Sequence, residues 1–195
     1  MKKISTLGFV LGLLIIGSVS SYGAVFTFAP NPADLYDLEH SRAYTWGINW
    51  NSLSYPITSA YLTFTNIQNW ANYEDPTDIL YMSLLDDAPV GVTSFYDGNS
   101  IGDYFSDKGG ILIDTWTDLD DNTTSDNLIF NFSAARIADL NNLASDGLFG
   151  LGIDPDCHYW NDGVQLTINA DIPEPTTILL FGLGTIGMAL YRKKH

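Results

Sequence analysis

A single cysteine, Cys157, stands in a chain of 195 residues, so no disulfide within the chain can hold it together. Histidine is nearly as scarce, at His40, His158 and His195, and no H-E-x-x-H pattern occurs. That absence removes the helix-borne zinc proteases. Positive charge is missing from most of the chain: between Ala24 and Ile172 only Arg42, Lys108 and Arg136 are basic, the rest being Lys2, Lys3, Arg192, Lys193 and Lys194. Set against 23 acidic residues and a net charge of -15, this repels phosphate backbones and excludes nucleic acid as a partner. Long apolar runs are also absent from the middle and occur only towards the two ends.

The first of those runs follows Lys2 and Lys3, extends from Ile4 to Val19, and gives way to the small residues Ser20, Ser21, Gly23 and Ala24. A basic start, an apolar centre and a small-residue cleavage zone form a secretory signal peptide, here spanning 1–23 with cleavage before Ala24. No cysteine follows the apolar centre, so a lipid anchor is not expected. The second run, Thr176 to Tyr191, would span roughly 24 Å as a helix, against a hydrocarbon thickness of ~30 Å. Interfacial Tyr191 and the long side chains of Arg192 and Lys193 close that gap. The sequence therefore predicts a transmembrane helix over 176–191, with Arg192, Lys193 and Lys194 as a membrane stop held on the cytoplasmic side. Pro175 suits the start of that helix and leaves an extended strip before it. Gly182 to Gly187 matches G-x-G-x-x-G, but no strand precedes it and no βαβ unit contains it, so a nucleotide reading fails.

Pro173-Glu174-Pro175, the glycine-bearing apolar helix and the Arg192-Lys193-Lys194 end together resemble the PEP-CTERM sorting signal of exopolysaccharide-producing Gram-negative bacteria. The resemblance covers 173–195. It implies recognition of Pro173, Glu174 and Pro175 by exosortase, an intramembrane protease, and cleavage near the motif. The precursor would be exported and transiently anchored in the membrane, and its product would reach the cell surface or extracellular matrix.

Between the two ends, residues 24–172 are long enough for one domain with a real core. Their hydrophobic period is mostly two. Tyr44, Trp46, Ile48 and Trp50 alternate with Thr45, Gly47 and Asn49, as in a half-buried strand, and Ala60, Leu62 and Phe64 alternate in the next. Further strands are predicted over 25–29, 79–85, 90–95, 110–116, 127–132, 148–153 and 164–170. Ser133 can cap a helix carrying Ile137, Leu140 and Leu143, which Asp146-Gly147 would end, and a weaker helical turn is expected at 102–106. Many short strands and one short helix give a mainly β fold: an antiparallel β-sandwich, jelly-roll-like in topology.

The densest chemistry runs from Asp154 to Gly163, where carboxylates, an amide, a thiol and an imidazole crowd together. Zinc is disfavoured, because adjacent Cys157 and His158 point to opposite faces of an extended chain and no second cysteine is present. Asp154, Asp156, Asn161 and Asp162 offer hard oxygens suited to calcium, the one cofactor the sequence raises. The competing reading is a turn, opened by Asp154-Pro155 and closed by Asn161-Asp162-Gly163 with the aromatics packed beneath and Cys157 a buried thiol. Asp118 to Asn122 resembles the front of an EF-hand only superficially, since Thr123 stands where glycine is needed and Ile129 where glutamate is, so it reads as a solvated loop.

The run from Phe149 to Gly163, with the strand from Tyr44 to Trp50, is similar to a sandwich module found among PEP-CTERM cargo proteins. That similarity implies a β fold and no particular site. The expectation for function is a non-catalytic matrix protein whose sandwich associates with exopolysaccharide in a biofilm matrix, with Trp70, Trp116 and Trp160 stacking on sugar faces and calcium assisting. The alternative is a secreted polysaccharide-active hydrolase, which would need two carboxylates about 5 to 10 Å apart across a cleft.

Overall fold

The computed structural model describes residues 21–50, 55–70, 78–98, 101–118 and 125–173. The transmembrane helix expected over 176–191, with Glu174, Pro175, Arg192, Lys193 and Lys194, lies outside them, as do residues 1–20. Among the described residues no helix is long and apolar enough to cross a membrane.

Ten strands follow in chain order: β1 Ser21–Phe28, β2 Arg42–Asn49, β3 Ile57–Asn69, β4 Ile79–Leu85, β5 Gly91–Tyr96, β6 Ile111–Thr117, β7 Asp126–Asn131, β8 Leu148–Pro155, β9 Tyr159–Trp160 and β10 Gly163–Pro173. The helix α1, Ala134–Leu143, lies between β7 and β8. One sheet runs β1-β10-β3-β7 with β9 also paired to β3, and the other runs β5-β2-β8-β4-β6. The registered pairs of these strands are antiparallel. Residues Ala24–Ala170 form one compact unit of the chain.

Alternation decides which side chains meet between the sheets. Leu62 and Phe64 of β3, Leu166 and Ile168 of β10, Leu80, Met82 and Leu84 of β4, and Phe149, Leu151 and Ile153 of β8 all belong to one buried cluster. Leu140 of α1 joins it, wholly buried. The helix begins as its residues dictate: the Ser133 hydroxyl accepts the Arg136 N–H at 3.3 Å, and Gly147 takes a left-handed φ of 94° after the final turn. Asn141 ties it to β3, its side chain accepting the Ile57 N–H at 2.8 Å and donating to the Ile57 carbonyl at 2.9 Å.

Two expectations are corrected. The β2 strand is not half-buried: Ala43 and Thr45, on the face opposite Tyr44 and Trp46, are 0% and 7% exposed. A second small cluster of Ala43, Leu85, Ala88 and Phe105, with Tyr104 against it, covers the outer face. Close approach explains the glycines there, since a Cβ on Gly47 would lie 2.1 Å from the Pro89 carbonyl oxygen and one on Gly152 would lie 2.7 Å from the Phe105 ring. The segment 102–106 is a hydrogen-bonded turn, not a helix. Ser106 N–H donates to Asp103 O and Lys108 N–H to Phe105 O, while the Asp103 carboxylate takes the Phe105 N–H.

A candidate ligand-binding face

The end of β3 and the short β9 form a small ladder, Gln68 opposite Trp160 and Asn69 opposite Tyr159, extended by a 2.9 Å bond from Trp70 N–H to the His158 carbonyl. Alternation along 158–160 turns Tyr159 inward and leaves its two neighbours on the other side. Tyr159 is wholly buried and donates its hydroxyl to the Asp78 carbonyl at 2.8 Å, and burial pushes its pKa far up. His158 then sits between two indoles, 6.1 Å from Trp70 and 5.6 Å from Trp160 between ring centroids. Trp70 is 63% exposed and Trp160 41%. The Glu39 carboxylate lies 3.7 Å from His158 Nδ1. Two exposed indoles bracketing an imidazole, with a carboxylate at the edge, form an amphipathic surface able to stack on the apolar face of a sugar and bond its hydroxyls.

Of the three tryptophans singled out from sequence, Trp70 and Trp160 come together here and Trp116 does not. Trp116 packs on Tyr159, ring centroids 5.4 Å apart, against the core. His158 and Glu39 were missed as parts of this face, although the alternation of His158 and Trp160 about Tyr159 carried the signal for the first. Cys157 is half-buried rather than buried, and its thiol meets the Asn69 side-chain oxygen at 3.0 Å.

The four oxygen-bearing residues proposed for calcium have partners in different parts of the chain. Asp154 Oδ2 accepts the Tyr104 N–H at 2.7 Å, and both Asp156 oxygens accept the Gly102 N–H at 3.1 and 3.3 Å. Asn161 instead donates to the Asp34 carbonyl at 2.8 Å and accepts the Gly163 N–H, and Asp162 accepts from the Asn66 amide. Among the described residues no group of three His, Cys, Asp or Glu side chains is arranged to hold a metal ion. Asp154 is nonetheless unusual: it is wholly buried, its Oδ1 has no hydrogen-bond partner among the described residues, and burial, reinforced by the charges of Asp97, Asp156 and Asp103, pushes it up to about 7. Burial pushes Asp156 up to about 6. Both carboxylates suspend the 102–105 turn over β8.

Residues 171–194 match the family model described as the PEP-CTERM protein-sorting motif. This chain carries a PEP-CTERM sorting signal. That signal marks an exported protein with a membrane-anchored precursor, processed near its C-terminus by exosortase, a membrane protease. The match falls on the same tail that the sequence set apart, and the PEP-CTERM motif says nothing of the sandwich before it. No curated protein matches the chain. Among solved structures, dimeric latent PorU from Porphyromonas gingivalis is similar at 8% identity and a TM-score of 0.41, over 80% of this chain and 14% of that one. The Drosophila NLP core is similar at 10% identity and a TM-score of 0.19, over 80% of this chain and 98% of that one.

Proposed function

We propose that this PEP-CTERM protein is a non-catalytic component of the cell surface or extracellular matrix, and that its sandwich associates with exopolysaccharide through the Trp70–His158–Trp160 face. The observation that carries the reading is the pair of exposed indoles held on a rigid two-strand ladder, where burial would be the ordinary fate of tryptophan. The strand order supports the jelly-roll reading: β1 lies beside β10, followed by β3 and β7, while β2-β8-β4-β6 fills the second sheet with β5 added at its edge. The non-catalytic reading is supported by Asp154, whose raised carboxyl is wholly buried and committed to a backbone N–H, out of reach of a polymer. Calcium enters the proposal only through the hard oxygens of Asp154, Asp156, Asn161 and Asp162, which among the described residues form no group of three His, Cys, Asp or Glu side chains arranged for an ion.

The test is retention of the exported, processed protein on insoluble exopolysaccharide, for the wild type and for the Trp70→Ala, Trp160→Ala and double variants, with and without a chelator. The double variant is expected to pass through unretained. Full retention of the double variant would remove the indole face from the proposal. Loss of wild-type retention in the chelator would assign calcium a part in it, and unchanged retention would strike the ion out.

A further inference from the structure

We propose that the groove beside Arg42 is a second binding site, and that it takes a carboxylated sugar residue of the same polymer. This rests on the polysaccharide reading above and adds to it the chemical class of the sugar.

The groove has a volume of about 540 Å³ and is bounded by Tyr36, Glu39, Arg42, Tyr44, Thr93 and Ser94. That lies within the ~300–1,000 Å³ common for small-ligand pockets. Its wall is made at a conformational cost. Leu35, Tyr36, Asp37 and Leu38 take φ values of 54°, 59°, 57° and 43°, a left-handed turn built without glycine. L-residues resist that conformation, and it persists only where the surroundings over-determine it. Here Leu35 and Leu38 are both wholly buried, the Asp34 carboxylate accepts the Tyr36 N–H at 3.0 Å, and Asn161 donates to the Asp34 carbonyl. The result is that Tyr36, between two sunken leucines, stands 58% exposed at the groove. Strain of this kind is concentrated where the placement of one side chain matters more than the comfort of the backbone.

Arg42 supplies the chemistry. Of the three basic side chains in the sandwich, Lys108 pairs with Asp107 and Arg136 with Asp139. Arg42 donates to Ser94 Oγ at 3.1 Å, and among the described residues no carboxylate lies within 4.0 Å of it. Among the described residues this guanidinium has no carboxylate at ion-pair distance, which points to an anion from outside. Its planar fork of donors fits a carboxylate in two parallel bonds. Tyr36 offers a ring to the sugar face, and Glu39 and Ser94 offer acceptors to its hydroxyls. The net negative charge of the protein opposes a polyanion at long range, but charges beyond ~8 Å are screened at physiological salt, so the contact at Arg42 decides the outcome. Glu39 lines the groove and also faces His158, so the groove and the indole face share a residue and one polymer chain can meet both.

The experiment measures binding of the exported, processed protein to oligogalacturonate, to its methyl ester and to a neutral glucan oligomer. The wild type is expected to bind the free acid at least tenfold more tightly than the ester. Arg42→Gln should abolish that preference while leaving the melting temperature unchanged, because Arg42 is exposed. Arg42→Lys should restore the preference only in part. Equal binding of acid and ester by the wild type, or a preference that survives Arg42→Gln, overturns the proposal. The Trp70→Ala, Trp160→Ala double variant separates the two readings: it should weaken acid, ester and glucan alike while keeping the acid preference. Undiminished glucan binding by that variant, with the acid preference intact, would sink the indole face and leave the groove standing.

Discussion

Asp154 titrates near 3.8 in an unfolded chain, whereas in the folded one burial, then the charges of Asp97, Asp156 and Asp103, hold it at about 7 against the lowering effect of the Tyr104 N–H. Lys108 is the cation whose field reaches it. Between those two values the folded protein keeps a proton that the unfolded chain has lost, so stability falls as pH rises through the window. Asp156, at about 6, acts in the same direction over its lower part. The thermal midpoint should therefore be higher at pH 5 than at pH 7.5, by roughly 5 °C. Asp154→Asn, uncharged at both, should raise the midpoint at pH 7.5 and flatten the slope; calorimetry showing a wild-type midpoint that climbs from pH 5 to 7.5 would refute this. A second prediction separates the tryptophans. Trp116→Ala removes the ring packed on buried Tyr159 and should cost about 3 kcal/mol in denaturant unfolding, while Trp160→Ala should cost under about 1 kcal/mol. That difference was not legible in the sequence, because both tryptophans sit in aromatic, alternating stretches and only the path of β9 along the end of β3 exposes one of them. The calcium candidates failed to group for a related reason. Proximity along 154–162 is not proximity in space once Asp154 and Asp156 bond the 102–104 backbone and Asn161 and Asp162 bond residues 34 and 66.

At the scale of strands and helix, local pattern matched the outcome closely wherever one face was decided by simple alternation. The strands expected over 79–85, 127–132 and 148–153 appear as β4, β7 and β8, and Ser133 caps α1 with Gly147 closing the turn beyond it. The pattern misled for β2, where Thr45 and Gly47 read as an outward face. That face is covered: Gly47 lies against Ala88 and Pro89, and Ala43 clusters with Leu85, Ala88 and Phe105, all from chain segments distant in sequence, and no periodicity within β2 announces such a cover. Gly47 is the sharpest test of that packing. A methyl group there would overlap the backbone oxygen of Pro89, which cannot swing aside as a long side chain would. Gly47→Ala should lower stability by about 3 kcal/mol, read from the shift of the urea midpoint at constant slope. A variant within about 0.5 kcal/mol of the wild type would mean that the 88–89 segment does not rest on β2. Asn141→Ala belongs to the same scale, since it leaves the Ile57 N–H and carbonyl in need of partners and should cost about 2 kcal/mol.

For the molecule as a whole, the acidic sandwich and the sorting tail obey different physics. Residues 24–170 bury a shared core between two sheets, whereas the run from Thr176 to Tyr191 has no polar face with which to stay in water and ends in a cluster of cations. We propose that a chain made this way is threaded across a bilayer with its tail retained, because Arg192, Lys193 and Lys194 resist transfer while the preceding residues favour the lipid. Processing at the PEP-CTERM motif then parts the sandwich from the apolar tail. Pro173 and Pro175 each lack a backbone N–H and so disfavour a helix across the motif, and Glu174 supplies the one charge within it. Replacing Pro175 by Ala or Glu174 by Gln should therefore leave export intact but block cutting, and full-length chain should accumulate in the membrane fraction. Mass spectrometry of the released wild-type protein should find a C-terminus upstream of Thr176. Recovery of released protein that still carries Arg192 to His195, from cells with an active exosortase, would show that the tail is an anchor left in place and not a signal removed.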